Sequence, residues 1–150
     1  WDDAMIYTAR APVQVGDQLH FYYGGWDGPH NATNAQASIG LATLRLDGFC
    51  SMQAGAKEGW LISRREEMKL PRVAINAACK PGGYVVAELL DKDNQVLAGC
   101  SRQDCVPFKG DSVRHVLTWK TAAFAPAQTE GDKKVRFFVK NADLYSYLPE

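Results

Sequence analysis

The sequence predicts an all-β protein, an antiparallel β-sandwich of jelly-roll type with about ten short strands. Three observations carry that prediction. Apolar residues alternate with a period of two along most of the chain, not 3.6. The alternating runs are short and are punctuated by turn residues such as Val15-Gly16-Asp17, Asp47-Gly48 and Pro81-Gly82-Gly83. No window carries a sustained helical pattern, and the one helix-friendly stretch, Arg64 to Lys69, is too short to form one.

The elements follow in order. Met5 to Ala9 is a β-rich run closed by Pro12. Gln18 to Tyr23 follows it with Leu19, Phe21 and Tyr23 on one face, so the two read as a hairpin through Val15-Gly16-Asp17. Gly24 to Asn34 is Gly-rich and polar and reads as a long loop. Ser38 to Leu46 is a strand, and Asp47-Gly48 is a hairpin signal into Phe49 to Ala54. Gly59 to Ser63 is a short strand. The charge-dense Arg64 to Lys69 reads as a solvated turn or edge strand. Arg72 to Ala77 is a strand ended by Pro81-Gly82-Gly83. Tyr84 to Leu90 is the most apolar run and belongs at the centre of a sheet, with Asp91-Lys92-Asp93-Asn94 turning it back into Gln95 to Gly99. Ser112 to Lys120 puts Val113, His115, Leu117 and Trp119 on one face, which marks Trp119 as core. Ala122 to Lys134 is a loop, Val135 to Val139 a strand, and Asp143 to Tyr147 the closing strand. Residues 1–150 are expected to form a single sandwich domain, with 1–35 an appended hairpin and loop and 36–150 the sandwich core.

Composition excludes several function classes. The chain has 150 residues, with 17 Lys and Arg against 17 Asp and Glu, and a net charge of zero. No basic field recruits a phosphate backbone or an anionic bilayer, so neither nucleic acid nor a membrane is an expected partner. No run approaches ~18 apolar residues, so no transmembrane helix is expected. Residue 1 is Trp and no leader pattern follows, as expected of a mature fragment or an excised domain. Acids fall mostly in turns and bases are spread along the chain. No cleft of one sign is therefore expected, which favours a neutral or mixed ligand.

The four cysteines are Cys50, Cys79, Cys100 and Cys105, with no Cys-x-x-Cys to suggest zinc. An even count allows two disulfides in three connectivities. Cys100 with Cys105 would close a small loop and Cys50 with Cys79 would join two strands. The other reading is four reduced thiols in a cytosolic domain. The sequon Asn31-Ala32-Thr33 favours the disulfide-bonded, secreted or extracellular reading.

Few residues suggest catalysis. The clustered acids Asp2-Asp3, Glu66-Glu67, Asp91 with Asp93, and Asp104 with Asp111 sit at a terminus or in turns, not as a glycosidase pair. Gly-x-Ser-x-Gly is absent, and Cys100 or Cys105 with His115 is the one Cys–His option. Asp91, Asp93 and Asn94 are the best local metal oxygens, though they also make a good hairpin turn.

A resemblance adds context. His20-Phe21-Tyr22-Tyr23-Gly24-Gly25, His30 and the run Ile39-Gly40-Leu41-Ala42-Thr43-Leu44-Arg45-Leu46-Asp47-Gly48-Phe49 resemble the C-terminal part of secreted proteins related to the five-bladed-propeller glycoside hydrolases, with family 32-like architecture. Looser matches run on through Val86 to Asp91, Val116 to Trp119 and Val135 to Phe138. The resemblance implies a last propeller-type hairpin followed by a β-sandwich, and a catalytic propeller domain of the same chain as a partner. The propeller's catalytic carboxylates have no counterpart here. The resemblance therefore implies an accessory, non-catalytic domain. No cofactor is implied beyond the structural calcium frequent in jelly-roll carbohydrate modules.

Sugar rings stack their C–H faces on Trp or Tyr, and neighbouring polar groups bond the hydroxyls. Trp26 in the Gly-rich loop, with Asp27 and His30 beside it, is the leading candidate; it either meets ligand or folds back to plug the sandwich end. Tyr22 points away from Leu19, Phe21 and Tyr23, as a platform or as a contact with a propeller, and Trp60 stands at a strand start. His20 and His115 read as structural. The leading expectation is a non-catalytic carbohydrate-binding module that binds polysaccharide or oligosaccharide by stacking and hydrogen bonds. The alternative is a structural sandwich that buttresses a propeller without binding sugar. A small enzyme in its own right has no motif to support it.

Overall fold

Ten antiparallel strands and no helix make up the described residues of the computed structural model, 1–120 and 131–150. The all-β prediction is thus met, in two sheets consistent with a β-sandwich. The expected Ala122 to Lys134 loop lies mostly outside the described residues. The chain divides into two compact units, Trp1–Phe49 and Cys50–Glu150.

The first unit is a four-stranded sheet. Strands β1 (Met5–Thr8) and β2 (Val13–Val15) lie end to end along one edge of β3 (Gln18–Trp26), and β4 (Ala37–Arg45) pairs along the other. Gly16, at φ 58°, makes the tight β2–β3 turn that the sequence signalled. Because β4 pairs with β3 over nine residues, it belongs to this sheet, and the unit boundary falls after Phe49 and not at residue 35. Asp47-Gly48 does form a turn, with Gly48 N bonding Arg45 O at 2.9 Å. The hairpin expected from it does not form, since the strand beyond it pairs elsewhere.

The second unit is built on two long strands, β8 (Val73–Leu90) and β10 (Asp132–Pro149), paired over almost their full length. Along the free edge of β10, three short strands follow one another: β5 (Met52–Ala54), β6 (Gly59–Ile62) and β7 (Glu66–Glu67). The edge-strand reading of Arg64 to Lys69 holds at β7. Along the other edge of β8 run β9 (Asp111–Leu117) and single bridges from Val96 and Phe108. Tyr84 to Leu90 is central, as its composition predicted, and Trp119 is buried, donating Nε1–H to Ala87 O at 3.1 Å.

Pro81-Gly82-Gly83 does not end a strand, as the sequence suggested; it bends one. Gly82 has φ 75°, and opposite it Asn141 has φ 42° at a bulge between Lys140 and Ala142. Straight β10 would separate Phe137 from Tyr147 by roughly 33 Å. Their ring centroids are 5.3 Å apart, so the sheet folds back on itself. The core fills the fold, with Phe137, Ile75, Leu89, Val85, Val135 and Leu117 all fully buried.

The disulfides are corrected. All four cysteines are free thiols. The Cys105 sulfur instead accepts Ala87 N–H at 3.3 Å on the edge of β8, while Cys100 pairs its carbonyl with Leu89 N at 3.0 Å. The turn at 101–104 serves to hold these strand-like contacts. Burial raises both thiols to about 11.

Candidate functional site

Strand alternation in the second unit sorts side chains onto two faces. Leu61, Val135, Phe137, Val139, Val85, Ala87 and Leu89 point to the core. Their neighbours point the other way. Register places Phe138 between Trp60 and Val86, and Arg136 between Ile62 and Glu88.

That second face is ordered by two ion pairs. Arg136 Nη1 donates to Glu88 Oε1 at 2.6 Å, and its guanidinium lies 5.8 Å from the centre of the Trp60 ring. Glu88 is buried, at 6% exposure, so the carboxylate end of the pair is shielded from water. Trp60 is 66% exposed. Arg102, from the turn after Cys100, forks onto Glu58 with bonds of 3.1 and 2.8 Å and sits 4.1 Å over the Phe138 ring. Tyr84 donates its hydroxyl to the same carboxylate at 2.6 Å. The Arg102 bond, then the Tyr84 bond, hold the Glu58 carboxyl below its usual range, and the shared hydrogen bond raises Tyr84.

Chemically, this is an exposed indole platform flanked by positioned guanidinium and carboxylate groups. The indole accepts an apolar ring face, and the guanidinium N–H groups left over from the ion pairs suit hydroxyl oxygens.

The sequence candidates fall in different places. Trp60 is in this cluster. Trp26, Asp27, His30 and Tyr22 all lie in the first unit. Trp26 is the last residue of β3, not a loop residue. Its ring covers Gly24, where an added Cβ would lie 2.8 Å from the indole, and meets Tyr7 edge-on at 5.4 Å. It is a packed residue, nearer the fold-back reading. Asp27 Oδ1 accepts Gln36 N–H at 2.7 Å and closes the loop. His30 is exposed in that loop, and Tyr22 is exposed beside His20, with ring centroids 6.4 Å apart.

The metal candidates are otherwise engaged. Asp91 Oδ1 accepts the N–H groups of Asp93 and Gln95 at 2.8 and 2.9 Å, and Asn94 Oδ1 accepts the Lys134 ammonium at 2.7 Å. This is hairpin-turn chemistry, with a cation of the chain already on the amide oxygen. Among the described residues, no group of three or more His, Cys, Asp or Glu gathers as a metal site. The acid clusters are likewise in use: Asp2 accepts from Tyr23 at 2.7 Å, Glu66 pairs with Arg64 at 3.0 Å, and Asp104 accepts from Ser101 at 2.6 Å. His115 stacks on Phe108 with centroids 4.3 Å apart, and burial lowers its pKa.

Sequence reasoning missed Arg136, Glu88, Phe138, Arg102 and Glu58. A signal existed for two of them. Lys134, Arg136, Phe138 and Lys140 alternate with Val135, Phe137 and Val139, so one face of that strand is charged and aromatic where a solvated face is merely polar. Glu58 and Arg102 meet across 44 positions, which no local pattern reveals.

No family model matches this chain, and neither the curated proteins nor the solved structures compared with it give a match.

Proposed function

We propose that the protein is a non-catalytic carbohydrate-binding module of a glycoside-hydrolase-like protein acting outside the cell, and that its glycan platform is Trp60 with Arg136, which the buried Glu88 holds in place. The observation that carries this reading is the exposed Trp60 ring beside a part-buried Arg–Glu pair. The Trp60 indole lies open at the surface, where a sugar ring can stack on it. Holding the flanking guanidinium in an ion pair removes the entropy that a free Arg would lose on binding. The extracellular assignment is supported by the sequon Asn31-Ala32-Thr33, which lies exposed after β3. Affinity electrophoresis against plant, algal and fungal polysaccharides tests the reading. Retardation by at least one neutral or acidic polymer, lost in Trp60→Ala, is expected; no retardation by any of them rejects it.

One observation favours the structural alternative, a domain that buttresses a propeller. Tyr7, Val13, Val15, Tyr22, Ile39 and Leu41 share one face of the first sheet by register and are all exposed. That reading expects a hydrophobic dye to bind this face, an Ile39→Asn/Leu41→Asn double variant to abolish the signal, and no glycan to bind.

A further inference from the structure

We propose that a cationic cleft on the second unit binds an acidic saccharide, one whose sugar rings carry carboxylate or sulfate groups. The inference rests on the glycan-binding reading above and names its ligand class.

The cleft consists of two adjoining cavities of about 650 and 520 Å³. Both are lined by Tyr84 and Lys109, which form the ridge between them. Arg102 and Lys120 line the larger cavity and Lys80 the smaller, so four cations face the cleft and no carboxylate does. A chain with zero net charge has concentrated one sign here, contrary to the even spread that its sequence suggested. The neighbouring acids offset part of this charge. Glu58 neutralises Arg102 at 2.8 Å, and Asp104 keeps its charge under the bond from the Ser101 hydroxyl; the three lysines Lys80, Lys109 and Lys120 carry the positive excess of the cleft. Lys120 donates its ammonium to a neutral acceptor, Gln103 O, at 3.0 Å. Lys80 and Lys109 make no ion pair or hydrogen bond among the described residues.

The walls argue for sugar over a small anion. Val86, Val106, Pro107 and the Tyr84 ring give the larger cavity an apolar lining, and together the cavities exceed the size of phosphate or sulfate alone. A chain of rings with an anion on each would place C–H faces on Tyr84 and Pro107 and its charges along Lys80, Lys109 and Lys120. Tyr84 and Arg102 also belong to the Glu58 network, so this cleft runs on from the Trp60 face.

Affinity electrophoresis separates the possibilities in matched pairs: polygalacturonate against its carboxyl-reduced form, and dextran sulfate against dextran. Both lysines are exposed, so Lys80→Ala/Lys109→Ala should keep the wild-type Tm. The expected result is retention by the acidic member of at least one pair, weakened roughly tenfold in the double variant and by moderate salt. Retention by polygalacturonate assigns carboxylate, and retention by dextran sulfate assigns sulfate. If Trp60→Ala leaves acidic retention intact, the cleft stands and the Trp60 platform falls. If neutral and acidic members of each pair are retained equally and Trp60→Ala abolishes both, the cleft is overturned and the platform stands. Equal retention by a DNA duplex of matched charge overturns the saccharide class, as does a wild-type response in the double variant.

Discussion

The guanidinium of Arg136 lies 5.8 Å from the centre of the Trp60 ring while it donates to Glu88 at 2.6 Å. One side chain thus links a buried carboxylate to an exposed indole. The buried end fixes the exposed end, because Arg136 cannot leave without stranding Glu88.

Removing Arg136 should therefore cost more than its partly exposed position suggests. Arg136→Ala leaves Glu88 charged and unpaired at 6% exposure, for a loss of about 3 kcal/mol. Glu88→Gln/Arg136→Met, which removes both charges, should recover most of it. Urea unfolding of the two variants checks this; equal losses would contradict it.

The bend in β8 makes a second prediction. An added Cβ at Gly83 would overlap the Asn141 carbonyl and approach Lys140 O at 2.8 Å, both backbone atoms that cannot rotate away. Gly83→Ala should lose about 3 kcal/mol. Gly55→Ala, with nothing within 4 Å of the new methyl, should stay within about 0.5 kcal/mol of wild type. Thermal unfolding of the pair distinguishes them.

The thiols give a third prediction. Cys50 is exposed, whereas Cys100 and Cys105 are buried and pushed up to about 11. A thiol reagent at pH 8 should modify Cys50 quickly and the two buried residues slowly, with four thiols counted after denaturation. A count of zero would restore the disulfides. The buried thiols hold their protons more tightly folded than unfolded. Their contribution to stability is complete below the ordinary thiol value of 9.0 and is lost as pH rises toward about 11. Unfolding free energy should fall across that window, less steeply in Cys100→Ala/Cys105→Ala.

Glu58 works at the opposite end of the pH scale. Its carboxyl is lowered by Arg102 and Tyr84, so its contribution is present above the ordinary value of 4.5 and is lost as pH falls through the folded value. The Tm difference between wild type and Glu58→Gln should be largest near neutrality and shrink on acidification. A difference unchanged down to pH about 3 would show that the Glu58 charge contributes nothing.

Period-two alternation was enough to find most strands, because successive side chains point to opposite faces of a sheet. It placed Tyr84 to Leu90 at the centre and Trp119 in the core. It failed where long-range pairing overrides local chemistry. Asp47-Gly48 has hairpin residues, but β5 pairs with Ala142 to Leu144. Pro81-Gly82-Gly83 has breaker residues, but pairing with β10 on both sides carries the strand through them. Cysteine spacing suggested a bridge at positions 100 and 105, where the sulfur of Cys105 serves a β8 amide. Trp60 was legible as an aromatic at a strand start. Its partners were not, since Arg136 lies 76 positions further on and only strand register brings them together.

The most direct test of the central claim is an NMR titration of the indole N–H signals with soluble oligosaccharides of xylan, galactan and polygalacturonate. The chain has four Trp, and Trp60→Ala identifies one signal by its loss. The account predicts that the Trp60 signal shifts on saturation while the buried Trp119 signal stays in place. A shift confined to Trp26, or no shift with a glycan that binds, would contradict it.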